Sequence, residues 1–403
     1  MADDDELLER LREGDLRLHE LDAHADHETA ATARRRFLEA ETGADLDAIG
    51  SYAFDAAEAD PNIENMVGSV QVPLGIAGPL PVSGKVADDE YLLPLATTEG
   101  ALVAGVNRGC SAIAAAGGAT ARVIESGMTR APVFSVAGVA EAAAVVEWVG
   151  DNGDRLAERA ESTTSHGELT AVDPYVVGDS IYLRFVYDTK DAMGMNMATI
   201  ATREAADLVE SETPASLIAL SGNLCSDKKP AAINAIEGRG RTVAADIEVP
   251  EGVLAERFGA TPGAIGEVNT RKNLVGSAKA GSLGFNAHAA NVVGAAFLAT
   301  GQDEAQVVEG ANAITTVEDR GDALYASVTL ASLEVGTVGG GTGLPAQSEA
   351  LSILGVAGGG NPPGSHADEL AEVIAAGVLA GELNLLAALA GRHLASAHAD
   401  LGR

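Results

Sequence analysis

The stretch Val176-Val-Gly-Asp-Ser-Ile-Tyr-Leu-Arg-Phe-Val-Tyr187 alternates without a break: Ile181, Leu183, Phe185 and Tyr187 fall on one face, and Gly178-Asp179 supplies a turn ahead of them. Alternation of period two marks a strand with one face in a core, and a Gly-Asp pair at its start closes a hairpin. Moving outward, the apolar positions of Val139–Val149, closed by Gly150, and those around Leu156–Ala160 follow a helical period. On the other side the pattern predicts a helix over about Asp191–Glu210 and a strand over Ser216–Leu220. Helices, two strands, a helix and another strand in roughly 85 residues make a small α+β module, starting near Pro132 and ending near Ala219.

The flanks read differently. Residues 1–50 are charged and helical in period, with apolar stripes at Leu7, Leu8, Leu11 and at Phe37, Leu38 before a stop at Gly43. Asn62–Leu80 is punctuated by glycine and proline into turns and short strands. Ala96–Ala119 reads as one long helix of small residues, opened by Thr97 or Thr98 as cap, whose small side chains let another element come close. Beyond Ser221 follow a glycine-rich loop, a strand near Val243–Ile247, a helix Phe285–Ala299, and a strand Ala326–Val335 that runs into Gly336–Gly341. After a break at Gly358–Ser365, which holds Pro362 and Pro363, the chain is helical to its end. The expected organisation is an arm (1–50), a large domain (51–131 with 220–403) and the inserted module (132–219), α+β overall.

The 403 residues, 46% of them hydrophobic, suffice for two or three cored domains. The longest apolar runs, Val292–Thr300 and Val373–Ala380, fall short of the roughly 20 residues that cross a bilayer. The start, Met1-Ala-Asp-Asp-Asp-Glu6, has neither the basic residues nor the apolar core of a secretory signal, so a cytoplasmic location is expected. Cys110 and Cys225 lack the number and spacing of a disulfide framework or a zinc site, and no metal is expected. A net charge of −33, from 59 acidic against 26 basic residues, disfavours nucleic acid and anionic lipid as partners. Molar salt relieves such self-repulsion by shortening the Debye length to ~3 Å, and the composition is that of a chain adapted to a salt-rich interior.

Three glycine-rich elements have backbone amides free to converge on phosphate: Asp191–Met197, Gly276–Gly284 and Gly336–Gly343. None has the G-x-G-x-x-G spacing after a strand, so the dinucleotide fold with that fingerprint is not supported. In Ser221-Gly-Asn-Leu-Cys-Ser-Asp-Lys-Lys-Pro230, two lysines out of only six in the chain stand beside an aspartate on a loop, an arrangement that fits an anionic ligand. Glu99, at the head of an apolar helix, is a candidate proton donor if buried. Asp303 and His398 carry little signal taken singly.

Taken together, these segments resemble the HMG-CoA reductase family from about Tyr52 to Ala399. The resemblance is carried by ENMVGSVQVPLGIAGPL (64–80), TTEGALVAGVNRG (97–109), DAMGMNM (191–197), SGNLCSDKKPAAINAIEGRGR (221–241), KNLVGSAKAGSLGFNAHAAN (272–291), TGQDEAQVVEG (300–310) and GTVGGGTGLPAQ (336–347). Its detail looks like the class shared by eukaryotes and archaea. The resemblance implies a large substrate-binding domain with an inserted, ferredoxin-like, non-Rossmann dinucleotide domain. It also implies four-electron reduction of HMG-CoA to mevalonate and coenzyme A by two NAD(P)H, without a metal.

Residue by residue, it makes Glu99, Lys228, Asp303 and His398 catalytic. Lys228 would face the oxyanion, His398 would protonate the leaving thiolate, and Glu99 with Asp303 would govern the remaining proton. Arg130, Ser221, Lys229 and Lys272 would hold the substrate carboxylate; Asn107, Arg108, His288 and Asn291 would meet coenzyme A. Asp191, Met193, Gly194, Met195, Asn196, Gly339 and Gly340 would contact the dinucleotide. NADPH is expected over NADH on class resemblance, although Ser162–Gly167, where a basic residue would hold the 2′-phosphate, offers only hydroxyls and His166. GSLGFNAH is one glycine shorter than the family pattern. The family also implies a homodimer or tetramer with the site at a subunit interface. Two other readings are a catalytically dead nucleotide- or acyl-CoA-binding relative, and an acyl-CoA reductase that stops at the aldehyde through a cysteine nucleophile, for which Cys225 is the loop candidate.

Overall fold

In the computed structural model, which describes residues 2–391, strand pairing organises the chain. The strands are β1 Leu74–Ser83, β2 Asp88–Ala96, β3 Ala119–Arg130, β4 Val133–Ser135, β5 Glu168–Val177, β6 Ser180–Asp188, β7 Ser216–Ala219, β8 Gly240–Pro250, β9 Ala313–Asp319 and β10 Ala323–Leu333. They run in the order β7-β4-β6-β3-β8-β10-β9, with β1 and β2 attached beside β3 and β5 on the outer edge of β6. Every pairing is antiparallel except a short parallel one between β1 and β3.

β3 joins two bodies. Its first part, Thr120–Gly127, pairs with β8, and its last three residues, Met128–Arg130, pair with β6. Arg130 therefore stands where two packed layers meet. On the β6 side the hairpin forms as expected, with Val177 opposite Ser180 and Gly178 at φ 63°. Ile181, Leu183, Phe185 and Tyr187 are all buried, in a core with Phe134, Val145, Leu156 and Val209. The element order here is strand, helices Val139–Asp151 and Gly153–Glu161, two strands, helix Met195–Glu212, strand.

Three helix expectations change at their ends, and the one over Phe285–Ala299 begins only at Ala289. The long helix expected over Ala96–Ala119 is only Leu102–Ala115, because β2 runs to Ala96 and β3 begins at Ala119. Ala101, at φ 71°, is the N-cap, and the Thr97 hydroxyl instead accepts the Glu99 amide at 3.0 Å. A run of small residues does not mark its own limits; Gly117 and Gly118, at φ 103° and 106°, break this one. The close approach is real, since a Cβ on Gly109 would lie 2.0 Å from the Ala380 carbonyl oxygen. The helix expected from Asp191 begins at Met195.

Ala380 belongs to the helix Ser365–Ala390, whose 26 residues are long and apolar enough by composition to cross a membrane. Acidic residues split it into shorter apolar runs, so the run-by-run reading of the sequence missed its length. It is the central core helix, with 78% of its most apolar window buried against β3, β8, β10 and the helices Leu102–Ala115 and Ala289–Thr300. Its buried Glu372 accepts the amides of Lys85, Val86, Ala87 and Val123 at 2.9–3.3 Å, fastening the β1–β2 turn to the core. Leaving such amides unpaired costs about 1–3 kcal/mol each.

The arm is built on two long helices, Asp4–Glu13 and His27–Thr42, each capped by the aspartate before it and stopped by a left-handed glycine, Gly14 and Gly43, with short helical turns at Leu18–Ala23 and Asp47–Gly50. Leu7, Leu11, Leu21 and Ala30 form its own small core.

Candidate active site

The loop from Ser221 to Pro230 leaves β7 in a constrained conformation: Asn223, Ser226 and Lys228 sit at φ 63°, 41° and 58°. Left-handed conformations at non-glycine residues cost about 1–3 kcal/mol each and persist where the surroundings impose them. Here the surroundings are the segment Asp303–Gly310. Asp303 Oδ2 lies 2.9 Å from Lys228 Nζ, Gln306 Nε2 donates to Asp227 Oδ1 at 2.9 Å, and Glu309 Oε1 accepts the Lys229 amide at 3.3 Å. Side chains three residues apart on one segment thus clasp three consecutive residues of the loop. The Asp303 carboxylate holds the Lys228 ammonium above its ordinary range.

Behind this clasp lies Arg239, with no exposed surface. Its guanidinium is 2.5 Å from Glu334, 3.3 Å from Asp227 and 3.9 Å from Glu309, and it donates to Gln306 at 3.2 Å. The three carboxylates come within 4.8 Å of one another, a spacing that suits a cation, and the guanidinium among them is that cation. Burial pushes the carboxyls of Glu309 and Glu334 up, Glu334 by far the more. Burial also pushes Asp227 up, but the Gln306 hydrogen bond and the positive charges of Arg239, Arg130 and Lys228 outweigh it, so its carboxyl ends below the usual range.

A second constellation forms around the start of the helix Ala289–Thr300. His288 Nε2 meets the Gly381 carbonyl at 2.8 Å, Asn291 Nδ2 lies 3.4 Å from His288 Nδ1, and the same amide donates to Glu99 Oε1 at 3.2 Å. Buried Glu382, on the core helix, accepts the amides of Ala287 and His288 at 2.7 Å each and the Thr315 hydroxyl at 2.7 Å. Lys272, on a π-helical stretch Asn269–Gly276, reaches the Ala287 carbonyl at 3.4 Å. π-turns recur at functional sites. Arg108 donates to Asn384 at 3.2 Å, and Asn107 accepts the Gly78 amide at 3.0 Å.

The third constellation brings two of the glycine elements side by side. Ala192 bridges Val338, Thr337 donates to the Asp191 carbonyl at 2.8 Å, and a Cβ on Gly336 would stand 2.4 Å from the Met193 amide. Gly194, at φ 85°, is the N-cap of Met195–Glu212 and brings no side chain to satisfy its first amides. Gly339 and Gly340, at φ 78° and 56°, have open space where a Cβ would be. Asn196, in the first turn of Met195–Glu212, is exposed. Among the described residues these backbone amides are free, which suits a diphosphate. The Asp191 carboxylate is already engaged, accepting the amides of Gly360, Gly364 and Ala367 at 2.7–3.2 Å. The other glycine element, Gly276–Gly284, closes a helix at Gly281 and so presents carbonyl groups rather than amides to a ligand.

Some expectations are redistributed. Glu99 is exposed, not buried, and among the described residues no ion pair joins it to Lys228. Arg130 donates to the Thr199 hydroxyl at 3.0 and 2.7 Å, Ser221 lies 3.5 Å from the Cys225 sulfur, and the Lys229 ammonium donates to the Asp227 carbonyl at 3.0 Å. Cys225 is fully buried, which removes it as a nucleophile; Cys110 is buried too, its thiol pushed up to about 12. His398 lies outside the described residues. Sequence reasoning missed Arg239, Gln306, Glu309, Glu334 and Glu382. The first three lie inside matched segments, while an acid inside an otherwise apolar helix was the available signal for Glu382.

The hydroxymethylglutaryl-coenzyme A reductase family model matches residues 30–403. A 3-hydroxy-3-methylglutaryl-coenzyme A reductase of Halobacterium salinarum is 71% identical over 405 residues, and that of Haloferax volcanii 70% over 403, each alignment covering 100% of both chains. Among solved structures, the class II 3-hydroxy-3-methylglutaryl-CoA reductase of Streptococcus pneumoniae bound to NADPH has the same fold, with a TM-score of 0.68 over 93% of this chain and 100% of that one at 21% identity. The family model and these relatives define an oxidoreductase, on a mixed helix and antiparallel sheet fold. The chain belongs to the hydroxymethylglutaryl-coenzyme A reductase family.

Proposed function

We propose that the protein reduces HMG-CoA to mevalonate and free coenzyme A in two hydride transfers from NADPH, with NADH the poorer donor. The carrying observation is the Lys228–Asp303 pair on a conformationally fixed loop. When bound, the nicotinamide supplies the hydrides. Lys228 provides a fixed positive charge for the oxyanion that forms at the thioester carbonyl and again at the aldehyde. The expelled thiolate takes its proton from His398, and Glu99 supplies the proton of the second step. The amides of Gly339, Gly340 and the helix start after Gly194 would hold the diphosphate. The β-α-α-β-β-α-β order of residues 132–219, with the strands arranged β7-β4-β6-β5, supports a ferredoxin-like dinucleotide domain. Gly167 approaches Met197 so closely that a Cβ would meet its sulfur at 2.3 Å, which sets the Ser162–Gly167 loop beside the dinucleotide element for 2′-phosphate contact through hydroxyls or His166.

Because Glu99 and Lys228 are unpaired with each other in one chain, the complete site is read as a joint product of two copies in a homodimer or larger assembly. The net charge of −33 supports a protein that works in a salt-rich cytoplasm. The deciding assay follows oxidation of NADPH and of NADH with HMG-CoA in molar KCl. Two nicotinamides consumed per thiol released is the expected result, with activity falling after dialysis into low salt. One nicotinamide per thiol would overturn the four-electron reading, and full activity in low salt would overturn salt dependence.

A further inference from the structure

Arg239 ties together several segments of the candidate site. Besides Asp227 of the Lys228 loop and Gln306 and Glu309 of the clasping segment, its Nη2 donates to Met195 Sδ at 2.9 Å, at the first residue of the dinucleotide helix. Its remaining partner, Glu334, stands two residues before Gly336, where the glycine loop begins. A planar guanidinium with five donors in fixed directions can hold several acceptors in one geometry, which an ammonium cannot. The position is also costly. A cation stripped of water is tolerated only when paired, and breaking such a pair from one side is strongly destabilising. A plain core position would be filled at less cost by an apolar residue.

We infer that Arg239 is a positioning residue that fixes the Lys228 loop in register with the dinucleotide helix, so that the oxyanion site and the hydride donor are set at one distance. The chain of contacts is direct. Arg239 orients Asp227 and Gln306; Gln306 ties Asp227 to the segment carrying Asp303; Asp303 pairs with Lys228. Arg239 reaches neither HMG-CoA nor nicotinamide in this scheme, so its loss misplaces reacting groups without removing one. Misplacement of about 1 Å at a distance from the chemistry can cost 10²-fold in rate. The inference rests on the proposed role of Lys228.

The test compares Arg239→Met, Arg239→Lys and Gln306→Leu with the parent in molar KCl, alongside Lys228→Ala. Expected for Arg239→Met is a kcat lower by about 10²-fold with KM for NADPH and HMG-CoA within about threefold, the signature of a loss felt in the transition state. The kinetic isotope effect with 4-deuterated NADPH should rise as hydride transfer becomes limiting. Arg239→Lys, which keeps charge without the fork, should recover about a tenth of the rate. Gln306→Leu breaks the same chain at its next link and should lower kcat by about tenfold, so the inference is tested even if Arg239→Met does not fold. A kcat within threefold of the parent in Arg239→Met or Gln306→Leu, or losses that follow melting temperature alone with no change in isotope effect, would overturn it. If Lys228→Ala itself keeps thioester reduction, the proposed function fails first; if only the Lys228 variant is inactive, the failure belongs to Arg239.

Discussion

Around Lys228 the holding side chains are charged or amide groups crowded behind the loop: Asp227, Arg239, Gln306, Glu309 and Glu334. Around His288 a single carboxylate, Glu382, captures two backbone amides and a hydroxyl from the core helix. The first arrangement concentrates three carboxylates on one guanidinium, so it carries excess negative charge unless a proton lodges there. The second is directional and needs no counter-ion, because one carboxylate has enough acceptor sites for all three donors. The difference matches the two tasks proposed for them. A group that must face developing charge is set by other charges, and a group that must grip a ligand is set by a rigid backbone turn.

Removing the charge on the first side should have the largest effect. Lys228→Ala is expected to lower kcat by about 10²–10³-fold, the loss typical of a missing oxyanion partner, for both the thioester and the aldehyde half-reactions. Mixing this variant with Glu99→Gln under conditions that exchange subunits then sharpens the comparison. If the two constellations complete one site from different copies, random pairing restores about a quarter of parental activity, since half the dimers each regain one of two sites. Absence of recovery would place Glu99 and Lys228 in the same copy's site and break the two-copy reading.

On the second side, Glu382→Ala leaves two amides and a hydroxyl without their acceptor in the interior. The expected cost is about 2–4 kcal/mol of stability, at about 1–3 kcal/mol per unsatisfied group with partial relaxation. KM for HMG-CoA should rise by roughly tenfold with a smaller change in kcat, because the disturbed group binds ligand more than it meets transition-state charge. Steady-state kinetics and thermal melting in molar KCl read both. An effect on kcat as large as that of Lys228→Ala would erase the proposed division of labour.

The hairpin at Val177–Ser180 was legible from sequence because its turn and its alternation are local properties, and the buried face came out residue for residue. The glycine motifs were legible as candidate ligand loops, but sequence could not separate Gly336–Gly341, where Gly339 opens a helical turn, from Gly276–Gly284, where Gly281 ends a helix. That distinction depends on which way the neighbouring backbone points. Helix ends in Ala96–Ala119 were hidden because small residues fit helix, strand and close contact equally well. β2, β3, β4 and β9 were not anticipated; β3 carries Arg122, Glu125 and Ser126 among its apolar positions, and its burial pattern is broken by a bulge between Val123 and Glu125. The charges behind Lys228 were unreadable for another reason. Arg239, Glu309 and Glu334 are far apart in sequence, and an isolated Arg or Glu reads as surface until its partners are found in space.

The smallest expected effect concerns the proton in the charged cluster. Burial raises the Glu334 carboxyl well above its ordinary range in spite of Arg239, with Glu309 and Asp227 adding like charge. Oε2 of Glu309 and Oε2 of Glu334 have no hydrogen-bond partner among the described residues, so either has room to carry a proton. In the unfolded chain a glutamate releases its proton near pH 4.3, whereas folded Glu334 keeps it to higher pH. The folded state then binds more protons than the unfolded one across that interval, so this contribution is complete below about pH 4.3 and is lost as pH rises through the folded value. Glu334→Gln keeps an oxygen to accept from Arg239 and removes the titration. The variant's melting temperature, measured against the parent in molar KCl from pH 5 to 8, should therefore gain with rising pH, by an amount equivalent to about 1.4 kcal/mol for each pH unit within the window. A difference that stays flat, or that turns against the variant as pH rises, would show that Glu334 is ionised throughout. The Lys228 side would then be held by a full set of charges, without the proton that distinguishes it from the Glu382 side.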